Sequence, residues 1–315
     1  MIRYILRRTL LLLVTLLVTS LIIFALTQLL PGDVARLILG RDASEQAKAL
    51  FREQFGLNDP PLQQYARWLG GFVTGQWGRS FTAGNPAVLP LVLGRLQNSL
   101  ILAGYTLLLS VPVSIVLGIF AALRENTWLD GAISVGSLAL IGLPEFVSGI
   151  ILINIFALGL GWFESTSLVQ DAHSLGDWLR ILTLPALTAS FVLVGYVARM
   201  TRAGMIDELK KAYVRTATLK GIPRRRVIIR HVLRNALLPT ITIIAISVGW
   251  LIGGIVVIEN VFNYPGLGSL LVTAVKQKNL PVLQAVVMLV VFFFAAANLI
   301  ADVLYAALNP RIRLE

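Results

Sequence analysis

Six stretches of this chain are apolar for long enough to cross a lipid bilayer, and that property limits its fold more than any other. A helical crossing takes about 20 residues, and runs of that order cover 9–30, 99–123, 132–160, 181–198, 237–258 and 282–305. Lipid offers backbone amides no hydrogen-bond partner, so such runs must close their bonds internally as helices. Composition agrees. The chain is 57% hydrophobic and 14% charged, with a mean hydropathy of +0.80, which leaves too few polar side chains to cover a soluble globule of 315 residues. The expected class is all-α, a polytopic membrane protein with six transmembrane helices.

Charge sets the expected orientation. The stretch 199–234 carries eleven Lys or Arg against Asp207 and Glu208 alone, and so accounts for nine of the chain's net +11. Arg3, Arg7 and Arg8 before the first run and Arg311 and Arg313 after the last fall on the same side of a six-crossing chain. By the positive-inside rule that side is cytoplasmic, and both termini lie there. The first run exceeds the ~7–15 residues of a signal-peptide core and reads as a retained span. The basic excess therefore reads as topology and not as a nucleic-acid footprint. With no cysteine, disulfides and thiolate metal sites are excluded. The connection 161–180, with Glu164, Asp171 and Asp177 against Arg180, is expected outside.

Between the first two runs, 31–98 reads as an external helical region. Ser44 is placed to cap a helix ending near Gly56. Asp59-Pro60-Pro61 is a cap-plus-proline start for a second helix, in which Leu62, Tyr65, Leu69 and Phe72 recur at helical spacing until Gly75 stops it. Tyr65, Trp68, Phe72 and Trp77 read as packing or interfacial anchors, with a docking surface for an external partner as the sharper alternative.

The cytoplasmic connection 199–235 reads as folded. Ile206, Leu209, Tyr213 and Ala217 make one apolar helical stripe, with Lys210, Lys211 and Arg215 off it. Gly221 ends that helix and Pro223 starts the next. There Val227, Ile228, His231 and Val232 form the expected apolar face, and Arg226, Arg230 and Arg234 stack at i, i+4 and i+8. Like charges so stacked repel, which calls for negative charge from outside the helix. Anionic membrane lipid headgroups would supply it.

These residues resemble a known motif. Tyr213-Val-Arg-Thr-Ala-Thr-Leu-Lys-Gly221 followed by His231-Val-Leu-Arg-Asn-Ala-Leu-Leu-Pro239 is similar to the cytoplasmic coupling motif of ABC importer permeases, in the form typical of the dipeptide, oligopeptide and nickel branch. Arg215-Thr216-Ala217 stands where the general motif has Glu-Ala-Ala, Gly221 at its glycine, His231 at its isoleucine and Arg234 at its proline. Leu30-Pro-Gly-Asp33, Phe55-Gly-Leu with the following Asp59-Pro60, Gly75-Gln-Trp-Gly-Arg-Ser-Phe81, Glu259-Asn-Val-Phe-Asn-Tyr-Pro-Gly-Leu-Gly268 and Asn309-Pro-Arg-Ile-Arg313 extend the resemblance, to the first of the two permease subunits, over nearly the whole chain.

The resemblance implies a type I ABC importer permease fold in the bacterial inner membrane. It implies a homologous second permease, two cytoplasmic ATPases that bind ATP and Mg, and an external binding protein that delivers short peptides or, alternatively, glutathione, opines or a nickel chelate. Coupling to the ATPases would rest on Tyr213, Arg215, Thr216, Ala217, Lys220, Gly221 and Pro223. The chain would divide into 1–30, 31–98 and a core 99–315. It has no Gly-x-x-x-x-Gly-Lys phosphate loop, so it is expected to be no enzyme and to bind no cofactor itself.

Within the spans, Glu145 sits near the middle of the third, where an ionised carboxylate facing lipid costs at least ~2.5–3.5 kcal/mol. It is a candidate for the translocation path, as are Glu259 and the small-residue face of Gly249 and Gly253. Close helix contact is the ordinary use of such a face. Asp302 reads as a structural partner. His173 and His231 suggest neither catalysis nor metal binding. A proton-driven secondary carrier would need more intramembrane titratable groups and often inverted repeats, and ranks below the permease.

Overall fold

In the computed structural model the chain is described over residues 2–28, 34–40, 42–82 and 84–308. The first span is α1 (Ile2–Gln28). Outside it follow α2 (Val34–Leu39), α3 (Glu45–Gln54) and α4 (Pro61–Thr74). Next come α5 (Val88–Leu123) and α6 (Trp128–Gly142), then α7 (Glu145–Leu152), which runs into a π-helical turn at Ile153–Gly159. The long α8 (Leu175–Leu209) leads to α9 (Ala212–Leu219) and α10 (Arg224–Val227). A second π turn, Ile228–Val232, joins α10 to α11 (Leu233–Ala236). The chain closes with α12 (Leu238–Gly254), α13 (Val256–Val261), α14 (Leu267–Lys276) and α15 (Leu280–Leu308). Among the described residues no strand forms; one isolated bridge joins Arg79 and Ala87. The two motifs at 30–33 and 309–313 lie outside the described residues.

Helix α8 is the central member. In its most apolar stretch 72% is buried inside the chain, against 11% for α1, so α1 turns most of its Leu, Ile and Val away from the rest of the chain. Glycines let α8 approach its neighbours closely. A methyl on Gly118 of α5 would stand 2.5 Å from the Thr201 Cβ, and one on Gly195 would stand 2.7 Å from the Ser137 carbonyl of α6. Three apolar clusters hold the bundle. One, around Leu102, Leu184, Leu193, Leu251 and Phe262, fills the middle. The second joins the outer end of α5 to α14 and α15 through Val88, Leu267 and Val286. The third joins the inner ends of α5 and α8 to α10 and α11 through Ala122, Met205, Val227 and Val232.

Four helices are long enough to cross by themselves, and six crossings result if each of two bent pairs is one span. The third run, 132–160, is one of these pairs. It bends by 102° between α6 and the helix after it, because Pro144 has no amide to donate and forces Leu143 into an extended conformation (φ −78, ψ 125). The fifth run is bent too: α12 makes 47° with Arg224–Ala236 and breaks again at Ile255 before α13.

Other boundaries also differ from the sequence reading. The helix of the second span starts at Val88, ahead of the apolar run at 99–123. Arg95, Gln97 and Asn98 interrupt the apolar run, yet Val88, Val92 and Leu96 share one buried helical face. Helix α8 continues through Leu209, so the first part of the connection 199–235 belongs to that helix. Ten-residue α14, too short to count as a span, was not anticipated.

Between the first two spans Ser44 caps α3, its hydroxyl accepting from the Ala47 amide at 3.2 Å, and Gly75 stops α4 at φ +79. Asp59 does not cap α4; Pro60 holds that position and Asp59 pairs with Arg67 at 2.5 Å. The aromatics pack. Phe24 of α1 meets Tyr65 and Trp68, the Tyr65 hydroxyl bonds Ser20 Oγ at 2.9 Å, and Phe72 stacks on Trp77 at 5.0 Å.

Candidate functional site: the cytoplasmic turn

The connection 199–235 is built on fixed ends. Arg202 of α8 forks onto Asp130 at the start of α6, at 2.5 and 2.7 Å, and Asp130 also accepts from the Asn126 amide and from Ser134. Lys210 reaches Glu125 at 3.0 Å. Both ties clamp the inner end of α8 to the turn between α5 and α6.

Of the stripe, Ile206, Leu209 and Ala217 gather on the inner apolar cluster, but not along one helix, and Val214 rather than Tyr213 packs there with them. The chain breaks at Lys210 and Lys211, where Lys211 is extended (φ −71, ψ 148). The buried Glu208 carboxylate organises the break, accepting from the Tyr213 hydroxyl at 2.7 Å and from Lys211 Nζ. Burial first, and the Glu208 carboxylate second, raise the Tyr213 pKa above its ordinary value. Its hydroxyl therefore stays a donor throughout the physiological range.

Helix α9 ends in a Schellman cap. The Gly221 amide bonds the Thr218 carbonyl at 3.0 Å and the Ile222 amide bonds the Ala217 carbonyl at 3.2 Å. This cap requires the left-handed φ of +75 at Gly221. Ile222 and Ala217, the two ends of the cap, both pack on the inner cluster. Arg215, Thr216, Lys220, Gly221 and Pro223 are all exposed. Between them Leu219 is 80% exposed. Sequence reasoning missed it, because it lies off the apolar stripe; an apolar residue on the charged face was the available signal. His231 is exposed and not on the apolar face. The extra residue of the π turn rotates it outward while Val227 and Val232 remain buried.

The four residues proposed for the translocation path occupy different settings. Glu145 is the first residue of α7, at the sharp bend and not midway along a straight span. It is half-buried, with no side-chain partner among the described residues. Glu259 is 1% exposed and faces into the chain. One oxygen accepts from Ser99 Oγ at 2.6 Å and the other from the Ser269 amide at 2.9 Å, so the carboxylate anchors the N-terminus of α14. A methyl on Gly266 would stand 2.0 Å from it. The turn has a bracing role, and Glu259 has no surface of its own exposed within the chain. Gly249 and Gly253 face α15, where added methyls would meet Ala297 at 3.1 Å and Val290 at 2.8 Å. Within the chain their small face serves as a close helix contact.

Over residues 114–314 the sequence matches the family described as "Binding-protein-dependent transport system inner membrane component", and over 1–102 the corresponding N-terminal family of the membrane component. The chain belongs to this family of inner-membrane permeases. The permease is 37% identical over 310 residues to a probable peptide ABC transporter permease of Sinorhizobium fredii, covering 98% of this chain and 99% of the relative. It is equally similar, over 315 residues and the whole of both chains, to a glutathione transport system permease of Escherichia coli K12. An oligopeptide transport system permease of Bacillus subtilis is again 37% identical, covering 98% of each. The permease is thus a membrane component of an ABC importer, and proteins of this family work with ATPases, a second permease and a binding protein.

Proposed function

We propose that this permease forms half of the translocation pathway for short peptides, with glutathione as the nearest alternative. It pairs with a homologous second permease, takes substrate from an external binding protein and draws on two cytoplasmic ATPases that hold ATP and Mg. The named relatives divide between peptides and glutathione, which is itself a peptide bearing a free amine and carboxylates. Nickel chelates and opines remain outcomes of the substrate test. Mass spectrometry of the ligand retained by the cognate binding protein decides among them; a retained nickel chelate would overturn the peptide assignment.

One observation carries the coupling role: the turn holds an exposed leucine, Leu219, on a rigid Schellman-capped helix next to Thr216 and Lys220, with its other face locked onto the inner ends of α5 and α8. A force applied to that leucine passes into the spans through packed side chains. We expect Leu219→Cys, in a chain without native cysteine, to react with maleimide in membranes that contain both permeases alone. With the ATPases assembled it should be protected by about tenfold, the desolvation expected of a buried apolar anchor. Equal reactivity in both would remove the turn from the ATPase interface.

A further inference from the structure

The segment that leads from the turn into α12 carries a basic face that the coupling role does not use. From Lys210 to Ile258 the chain has no Asp or Glu. Lys210 and Lys211 are neutralised by Glu125 and Glu208, but Arg224, Arg225, Arg226, Arg230 and Arg234 are all exposed with no acidic partner among the described residues. Pro223, Arg225, Arg226, Ile229 and Arg230 line an open groove of about 440 Å³. The π turn makes this face: its wider coil turns Ile229, Arg230 and His231 outward in succession, while Val227 and Val232 stay on the inner cluster. Ile229 is 56% exposed among the guanidinium groups. Leu219 belongs to a different helix and does not line the groove.

We propose that this groove binds the headgroup of an anionic phospholipid of the inner leaflet, and that the bound lipid supports coupling. Arginine forks match phosphate oxygens in pairs, which offsets the mutual repulsion of Arg226, Arg230 and Arg234. The exposed isoleucine is placed to enter the acyl boundary. The segment runs through a 47° bend into the apolar helix beginning at Leu238, so a leaflet that takes up that helix has the basic face beside it. A juxtamembrane basic cluster of this kind is attracted to an anionic leaflet by an amount that grows with each arginine and falls with salt.

The assembled importer is reconstituted in nanodiscs of phosphatidylcholine alone or with phosphatidylglycerol, and the lipids retained after extraction are read by native mass spectrometry beside ATPase activity. Phosphatidylglycerol should be enriched over phosphatidylcholine, and should raise stimulated ATPase activity. The variant R225Q/R226Q/R230Q should lose that enrichment by roughly a hundredfold, from a several-fold loss per arginine, with its ATPase subunits bound in unchanged ratio. Restoring the charge as lysine should recover most of it. Where the triple variant does not accumulate, Arg230→Gln alone should lower enrichment roughly fivefold. Unchanged enrichment in these variants overturns the proposal. So does loss of the ATPase subunits in phosphatidylcholine discs, which would make the face an ATPase contact instead.

Discussion

Gly221 and Gly266 are both intolerant glycines for opposite reasons. Gly266 has an ordinary φ of −101 but no room for a side chain beside Glu259. Gly221 has open space around it but a left-handed backbone. Gly221→Val should therefore cost about 1–2 kcal/mol of local strain without a clash, leaving membrane insertion and assembly intact. Binding-protein-stimulated ATPase activity should fall several-fold. Wild-type stimulation and uptake in the purified complex would show that the cap has no part in coupling. Glu145, by contrast, is a carboxylate with no side-chain partner among the described residues. It stands at a helix start, where its charge is favoured, and we propose that it meets a solute amine. Glu145→Gln keeps its shape; we expect normal assembly and ATPase activity with reduced uptake of free-amine peptides and a smaller effect on amino-blocked ones. Loss of assembly instead would assign Glu145 to a contact with the second permease.

At the scale of elements, the inner ends of the helices behave as one block because polar ties reinforce apolar packing. Asp130 is 5% exposed and Arg202 30%, so breaking the fork leaves a nearly buried carboxylate unpaired. The Arg202→Ala replacement should destabilise the solubilised complex by about 3 kcal/mol, the low end for a buried pair given the partly exposed arginine. In a double-mutant cycle with Asp130→Asn the pair should be non-additive. Additive losses in thermal stability would mean that α6 and α8 are held by packing alone. The outer end is braced differently: Tyr264 donates to the Asn98 carbonyl at 2.7 Å and Asn98 to the Pro265 carbonyl at 2.8 Å, beside the Glu259 bonds. Each end of α5 is thus tied to a later element.

For the whole molecule the bent pairs decide topology. If Trp128–Gly142 and Glu145–Gly159 together cross the membrane despite their 102° bend, Glu164 is external. If they re-enter, it is cytoplasmic. Glu164 is exposed, and so is Leu62 at 78% in the external region; Tyr65 is a poor probe because it is tied to Ser20. We expect cysteines at 62 and 164 to react with an impermeant maleimide in intact spheroplasts. Labelling at 62 without 164, despite exposure in lysed membranes, would mean that the first bent pair re-enters and that at most five crossings remain.

What the sequence determined alone was whatever depends on local chemistry and on the length of apolar runs. The all-α membrane class follows from hydropathy, the caps at Ser44, Gly75 and Gly221 follow from backbone preference, and the coupling motif follows from its ordered residues. The tertiary structure decided what depends on neighbours distant in the chain. Apolar periodicity does not say which partner a helix face meets, so only packing showed that Gly249 and Gly253 face α15 and that Val88, Val92 and Leu96 extend the second span outward. A carboxylate in an apolar run reads alike whether it is solvated or satisfied. Ser99, 160 residues away in sequence, separates Glu259, which braces a turn, from the unpartnered Glu145 at its bend.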